Sequence, residues 1–172
     1  MKNKSELTVV CDAGPIIHLD ELDCLDLLSD FSEVILPQDV YAEIDRHRQA
    51  ALGKPEISFT ITGPRTHPDR DLLTVCRTFM LDAGEMEAIA LMKDNPNAVF
   101  LTDDASARLA AKQMRFKVHG TIGILLRSIR REYRSPEEIL RVLSEIPQKS
   151  SLYIKHSLLE EIILTVKNEF GL

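Results

Sequence analysis

Two apolar runs of the chain end in carboxylates. VVCD delivers Asp12, and VFLTDD delivers Asp103 and Asp104, each directly out of a β-branched or aromatic stretch. An aspartate at such a point suits a turn or a helix N-cap as well as a site, and capping accounts for one member of the Asp103–Asp104 pair. It does not account for the second like charge beside it. Glu85 adds a different signal. On a helix over 84–94 it points the same way as Ile89 and Met92, whereas Glu87 and Asp94 point away, and a glutamate on an apolar face needs a partner. Glu43 lies beside Val40 and His47 on the flank of its helix, as suited to solvent as to a site.

Carboxylates gathered in one cleft repel one another unless protons or a cation neutralise them. Mg²⁺ or Mn²⁺ fits that need, since both take oxygen ligands and retain waters and substrate phosphate oxygens. Asp12, Glu85, Asp103 and Asp104 are the candidate ligands. Zinc is disfavoured because His18, His47, His67, His119 and His156 are dispersed. The chemistry this donor set suits is metal-assisted hydrolysis of a phosphodiester, with no protein nucleophile.

Positioning such a set requires elements whose ends converge. Short apolar runs predict strands over 7–11, 33–37, 98–102 and 116–120, with 57–61 an edge strand or an extended loop. Between them the periodicity predicts helices over 15–30, 38–51, 69–80, 84–94 and 105–114, then 121–133. Ser135 with Glu138, and Ser157 with Glu160, read as capping boxes opening two further helices. Unbroken apolar strands alternating with helices indicate a three-layer α/β/α sandwich with a mainly parallel sheet, whose ligand crevice lies at the carboxyl ends of the strands. Asp12, Asp103 and Asp104 all fall at that edge.

With 172 residues and 44% hydrophobic content, the chain supports one core. We expect a domain over 1–134 and a C-terminal helical extension over 135–172 packed on it. A net charge of −6 argues against a protein that coats nucleic acid nonspecifically, but not against an acidic site charged with metal. Cys11, Cys24 and Cys76 lack paired spacing, and the opening MKNKSELTVVC has no export segment, so the expected location is cytoplasmic.

VVCDAGPIIHL, VILPQDVYAEI, LDAGEMEAIALM, VFLTDDASARLAA and VHGTIGILL, taken in order, resemble the PIN-domain superfamily of metal-dependent ribonucleases. More narrowly, the chain resembles the PIN-like branch often found in prokaryotic toxin–antitoxin pairs, with the VapC-type toxins as better-known relatives. The resemblance implies catalytic roles for Asp12, Glu43, Glu85 and Asp104, with Asp103 auxiliary. It also implies Mg²⁺ or Mn²⁺ as cofactor, an RNA substrate, a protein antitoxin and a homodimer. One departure stands out. Many members carry Ser or Thr shortly after the first aspartate, where this chain has Ala13 and Gly14, a place that backbone amides or Thr102 could fill. RSIRREYR offers Arg127, Arg130, Arg131 and Arg134 as a solvated helix face or antitoxin contact first, and as RNA contacts second. Tyr41 and Tyr133 suit base stacking or core packing, and Leu19, Leu22, Leu25, Leu27 and Leu28 suit a dimer interface. The alternative function is a catalytically degenerate PIN-like module acting through protein association.

Overall fold

Among the described residues five short strands form the centre: β1 (Thr8–Cys11), β2 (Glu33–Leu36), β3 (Phe59–Ile61), β4 (Val99–Leu101) and β5 (Lys117–His119). The computed structural model describes residues 5–65 and 67–172; the start of the opening read above for export, Met1–Lys4, lies outside them. Every strand pair is parallel, in the order β3-β2-β1-β4-β5. Parallel pairing needs crossovers, and the helices that supply them cover both faces. Alternation assigns the side chains. Val9, Cys11, Val34, Leu36, Val99 and Leu101 face one core, whereas Val10, Ile35 and Phe100 face the other.

The first core is closed by α1 (Ala13–Glu21), α2 (Gln38–Leu52) and α6 (Thr121–Arg130), the second by α3 (Arg70–Thr78), α4 (Ala83–Asp94) and α5 (Ala105–Gln113). This is the three-layer α/β/α sandwich, and its sheet is wholly rather than mainly parallel. The stretch 57–61 contributes β3 at the edge. At the carboxyl end of the chain, α7 (Pro136–Lys149) and α8 (His156–Phe170) insert Ile139, Leu143, Ile146, Leu159 and Val166 into the first core. Among the described residues no helix is long and apolar enough to cross a membrane, and Cys11, Cys24 and Cys76 are buried and free.

Three local expectations are corrected. The helix over 15–30 is two pieces, α1 and a 3-10 turn (Leu25–Asp30), because Asp23 takes a left-handed backbone at φ 54° and reverses the chain. Both pieces sink their leucines: Leu19, Leu22, Leu25, Leu27 and Leu28 are at most 4% exposed, so this region has no leucine face to offer a second copy. The helix over 121–133 stops at Arg130, since Glu132 sits at φ 57° and the Tyr133 amide folds back onto the Ser128 carbonyl (2.8 Å). Ser135 and Glu138 form their capping box, with Pro136 opening α7, but Ser157 caps nothing; α8 begins a residue earlier, and His156 pairs with Glu160 across one turn (3.2 Å).

The strand order sets the location of the site. The chain builds β1, β2 and β3 outward to one side, then returns to place β4 and β5 on the other. The crossovers diverge between β1 and β4, which opens a crevice beyond the carboxyl ends of those two strands. Asp12 follows β1, and Thr102, Asp103 and Asp104 follow β4.

Candidate active site

Asp12 leaves β1 in extended backbone and caps α1. Its Oδ1 accepts from the Ala13 amide (2.8 Å) and its Oδ2 from the Thr102 hydroxyl (2.9 Å), while its own amide donates to the Leu101 carbonyl (2.9 Å). The substitutes anticipated for the missing Ser or Thr, a backbone amide and Thr102, are therefore both in contact with Asp12. Thr102 is buried and held on every side: its amide donates to the His119 carbonyl (2.9 Å) and its carbonyl accepts from Arg108 Nη1 (3.2 Å). Its hydroxyl also accepts the Asp104 amide (3.1 Å). A hydroxyl has one proton, so with Asp104 donating to it that proton goes to Asp12. Thr102 thus joins the ends of β1 and β4 into one unit.

Asp104 caps α5, accepting the Ala107 amide at Oδ1 (2.8 Å), and is solvent-exposed. Asp103 turns the other way. Its Oδ1 accepts the Thr121 amide (2.8 Å), and its Oδ2 accepts from His18 Nδ1 (2.8 Å) and the Thr121 hydroxyl. Burial alone would raise its pKa, but the hydrogen bonds from His18 and Thr121 prevail and hold it below the usual carboxylate range. Both oxygens are taken, so Asp103 is not brought into the acid cluster; it clasps β4 to α1 and to the start of α6. Gly120 makes room for this seat. A Cβ at residue 120 would collide with Asp103 Oδ1 and stand 3.1 Å from Arg108 Nη1 and the Thr102 carbonyl.

Glu85 lies in the first turn of α4, on the side of the buried Ile89 and Met92. Its side chain accepts from the Asp82 amide (2.9 Å), and Asp82 accepts from the Glu85 amide (2.9 Å), a reciprocal capping box. Glu87 reaches instead to the amide of Asp39 (3.2 Å) at the start of α2. Glu43 is exposed on α2.

Electrostatics shows which acids share an environment. The Asp12 pKa is raised to about 6, first by burial, against hydrogen bonds from Thr102 and Ala13, and then by the charges of Asp82 and Glu43. The Glu85 pKa rises to about 7, by burial and, against its hydrogen bond from Asp82, by the charges of Asp82, Asp104 and Asp12. Asp12 and Glu85 thus each feel the charges of neighbouring acids: Asp82 and Glu43 at Asp12, and Asp82, Asp104 and Asp12 at Glu85. Asp82 is the member the sequence reading missed; its signal was LDAGE, where an aspartate stands three residues before Glu85 in capping-box spacing.

The donor set is all hard carboxylate oxygen, with burial and like charge left uncompensated, and this chemistry suits a divalent cation. As the side chains stand, turned onto cap amides, no three His, Cys, Asp or Glu among the described residues converge on a metal position. The arginine face also differs from its expected disposition. Arg127 (2.7 Å) and Arg131 (3.0 Å) both pair with buried Asp30, Arg134 pairs with Asp26 (2.6 Å), and Arg130 is exposed. Tyr41 and Tyr133 are half-buried and pack against the first core.

A family model described as PIN domain matches residues 8–168 of this architecture. No curated protein matches the chain. The sheet order, the acids at the β1–β4 crevice and the family match agree: the chain belongs to the PIN domain family, whose members are typically nucleases that use divalent metals.

Proposed function

We propose that this protein is a Mg²⁺- or Mn²⁺-dependent endoribonuclease, the toxin partner of a toxin–antitoxin pair. The observation that carries the nuclease reading is the elevation of both Asp12 and Glu85, to about 6 and about 7, by burial and by each other's neighbours at the sheet's topological switch point. The toxin assignment rests on the sequence resemblance to the VapC-like branch, which also motivates an RNA substrate, a protein antitoxin and a homodimer.

Asp12, Glu85 and Asp104 would hold the cation, with Asp82 beside them and Glu43 at the rim. The bound ion would neutralise these acids and supply a nucleophilic water for the phosphodiester. The chain's own contribution is orientation. Thr102 fixes Asp12 through Oδ2 and Asp104 through its amide, so one hydroxyl sets the position of both acids. Asp103, clasped by His18 and Thr121, anchors the turn carrying both Thr102 and Asp104. The raised pKa of Glu85 favours its protonated form, which lowers the repulsion among these acids, and a cation would serve the same end.

A second reading has one observation in its favour: Asp12, Asp82, Glu85 and Asp104 all serve as helix caps, a structural use a degenerate PIN-like association module would retain. Incubation of purified protein with single-stranded RNA decides between them. Cleavage that needs Mn²⁺ or Mg²⁺, stops with EDTA and falls at least a hundredfold in Asp12→Asn supports the nuclease. Undiminished cleavage by Asp12→Asn overturns the site assignment, and wild-type protein that neither cleaves RNA nor gains thermal stability from Mn²⁺ is the degenerate module.

A further inference from the structure

α6 packs over β4 and β5, but the register puts Lys117 and His119 of β5 level with Val99 and Leu101 of β4. The edge strand thus offers polar side chains where α6 would need apolar ones. The layer does not close. A cavity of about 230 Å³ remains, floored by Phe31, Val99, Leu101 and Ile124 and rimmed by Arg127, Arg130, Arg131 and His119.

The rim is electropositive in a chain of net charge −6. Arg127 and Arg131 both reach the carboxylate of Asp30, and Arg127 also lies 5.2 Å above the Phe31 ring. Arg130 has no ion-pair partner among the described residues. The imidazole of His119 reports the same field: burial first, then Arg108, Arg130 and Arg127, hold its pKa below the usual value. Near neutral pH it is therefore an uncharged ring with one donor and one acceptor nitrogen.

Size and polarity narrow the occupant. The volume lies below the roughly 300–1,000 Å³ of drug-sized sites and holds one ring system, not the row of side chains an amphipathic helix would insert. An apolar floor, an arginine edge and a neutral imidazole suit a flat heterocycle carrying a phosphate. The cavity also adjoins the acids, since Leu101 of its floor precedes Thr102 and the His119 carbonyl accepts the Thr102 amide.

We propose that this cavity binds one nucleotide unit of single-stranded RNA, the base lying against His119 and Gly123 over the apolar floor and the phosphate held at Arg130. This rests on the ribonuclease reading for the source of the nucleotide. Binding is measured in EDTA with a labelled RNA octamer, by fluorescence anisotropy and by amide chemical-shift mapping, for wild type, Arg130→Glu and His119→Ala. Arg130 and His119 lie outside the acid cluster, and far-UV circular dichroism verifies that the variants fold. The expected result is at least tenfold weaker binding for Arg130→Glu, at least threefold for His119→Ala, and shifts centred on His119 and Gly123. Binding within twofold of wild type in both variants overturns the subsite even where cleavage is intact. Binding that depends on these residues without any Mn²⁺-dependent cleavage keeps the subsite and removes the ribonuclease reading. Free 5′-AMP that competes as well as the octamer overturns the strand assignment in favour of a mononucleotide site. An acidic peptide that binds through Arg130 where RNA does not makes the cavity a protein contact and overturns the proposal.

Discussion

Asp12 and Asp30 are aspartates of the same sheet-and-helix layer whose carboxyls shift in opposite directions. Burial raises both. At Asp30 two guanidiniums, from Arg131 and Arg127, overcome burial and hold the pKa below the usual range; at Asp12 the hydrogen bonds from Thr102 and Ala13 do not, and Asp82 and Glu43 push further upward to about 6. A buried acid with a cationic partner is a strut. A buried acid among other acids stores unfavourable free energy that a cation can release, and this separates the crevice from the rest of the molecule. Asp103 belongs with Asp30 although it neighbours Asp104, because His18 and Thr121 serve it as the arginines serve Asp30.

The contrast breaks most severely at Asp30. Asp30→Asn leaves Arg127 and Arg131 facing a neutral amide, and we expect a loss of about 3 kcal/mol, at the low end of buried-pair disruption because the arginines remain about a third exposed. Urea denaturation at pH 7 measures it. The depressed pKa gives this contribution its sign: it is present above the unfolded carboxyl value and is lost as pH falls through the folded one. A wild-type-like midpoint would mean the strut is ornamental.

Gly120→Ala attacks the other paired acid through its seat. The new Cβ collides with Asp103 Oδ1, so either the carboxylate or α6 must shift, at a cost of about 2 kcal/mol. A displaced His18 ring resonance should accompany the lower melting temperature.

Asp12→Asn should act in the opposite direction. A carboxyl raised from 3.8 to about 6 costs the fold at most about 3 kcal/mol once ionised, and removing the charge should recover about 1.5 kcal/mol at pH 8 without metal. Because the folded pKa lies above the unfolded one, that advantage is full above pH 6 and disappears towards pH 4. Thermal melts across that range in EDTA provide the measurement, and a variant less stable than wild type at pH 8 would place Asp12 with Asp30.

The smallest effect sharpens the distinction between capping and crowding at Asp104. Asp104→Ala should lose about 1 kcal/mol with its cap, whereas Asp104→Asn, which still accepts the Ala107 amide, should stay within a few tenths. A loss in Asn equal to that in Ala would show that the charge, not the cap, carries the contribution.

Most of the architecture was legible because its signals are local. VVC, VIL and VFL are buried on both faces and read as continuous apolar runs, and Ser135-Pro136-Glu138 specify the start of α7 within four residues. The failures were local signals overridden by packing. Asp23 and Glu132 adopt left-handed backbone inside stretches whose periodicity continues, and nothing in their types demanded it. Among the site acids, Asp12, Glu85 and Asp104 stood out because each interrupts an apolar pattern. Asp82 did not, since an N-cap aspartate is common.

The sequence by itself determined a parallel α/β/α domain with acids delivered to one edge of the sheet, because strand and helix periods and cap residues are properties of short segments. Only the tertiary structure decided which acids crowd and which are paired. Asp103 and Asp104 are adjacent and chemically identical, yet His18, 85 residues away, and Thr121, 18 residues away, claim one and leave the other to the crevice. The partners of a charge are chosen by contacts between distant segments, and at Asp12, Asp30 and Asp103 those partners set the direction in which burial moves the pKa.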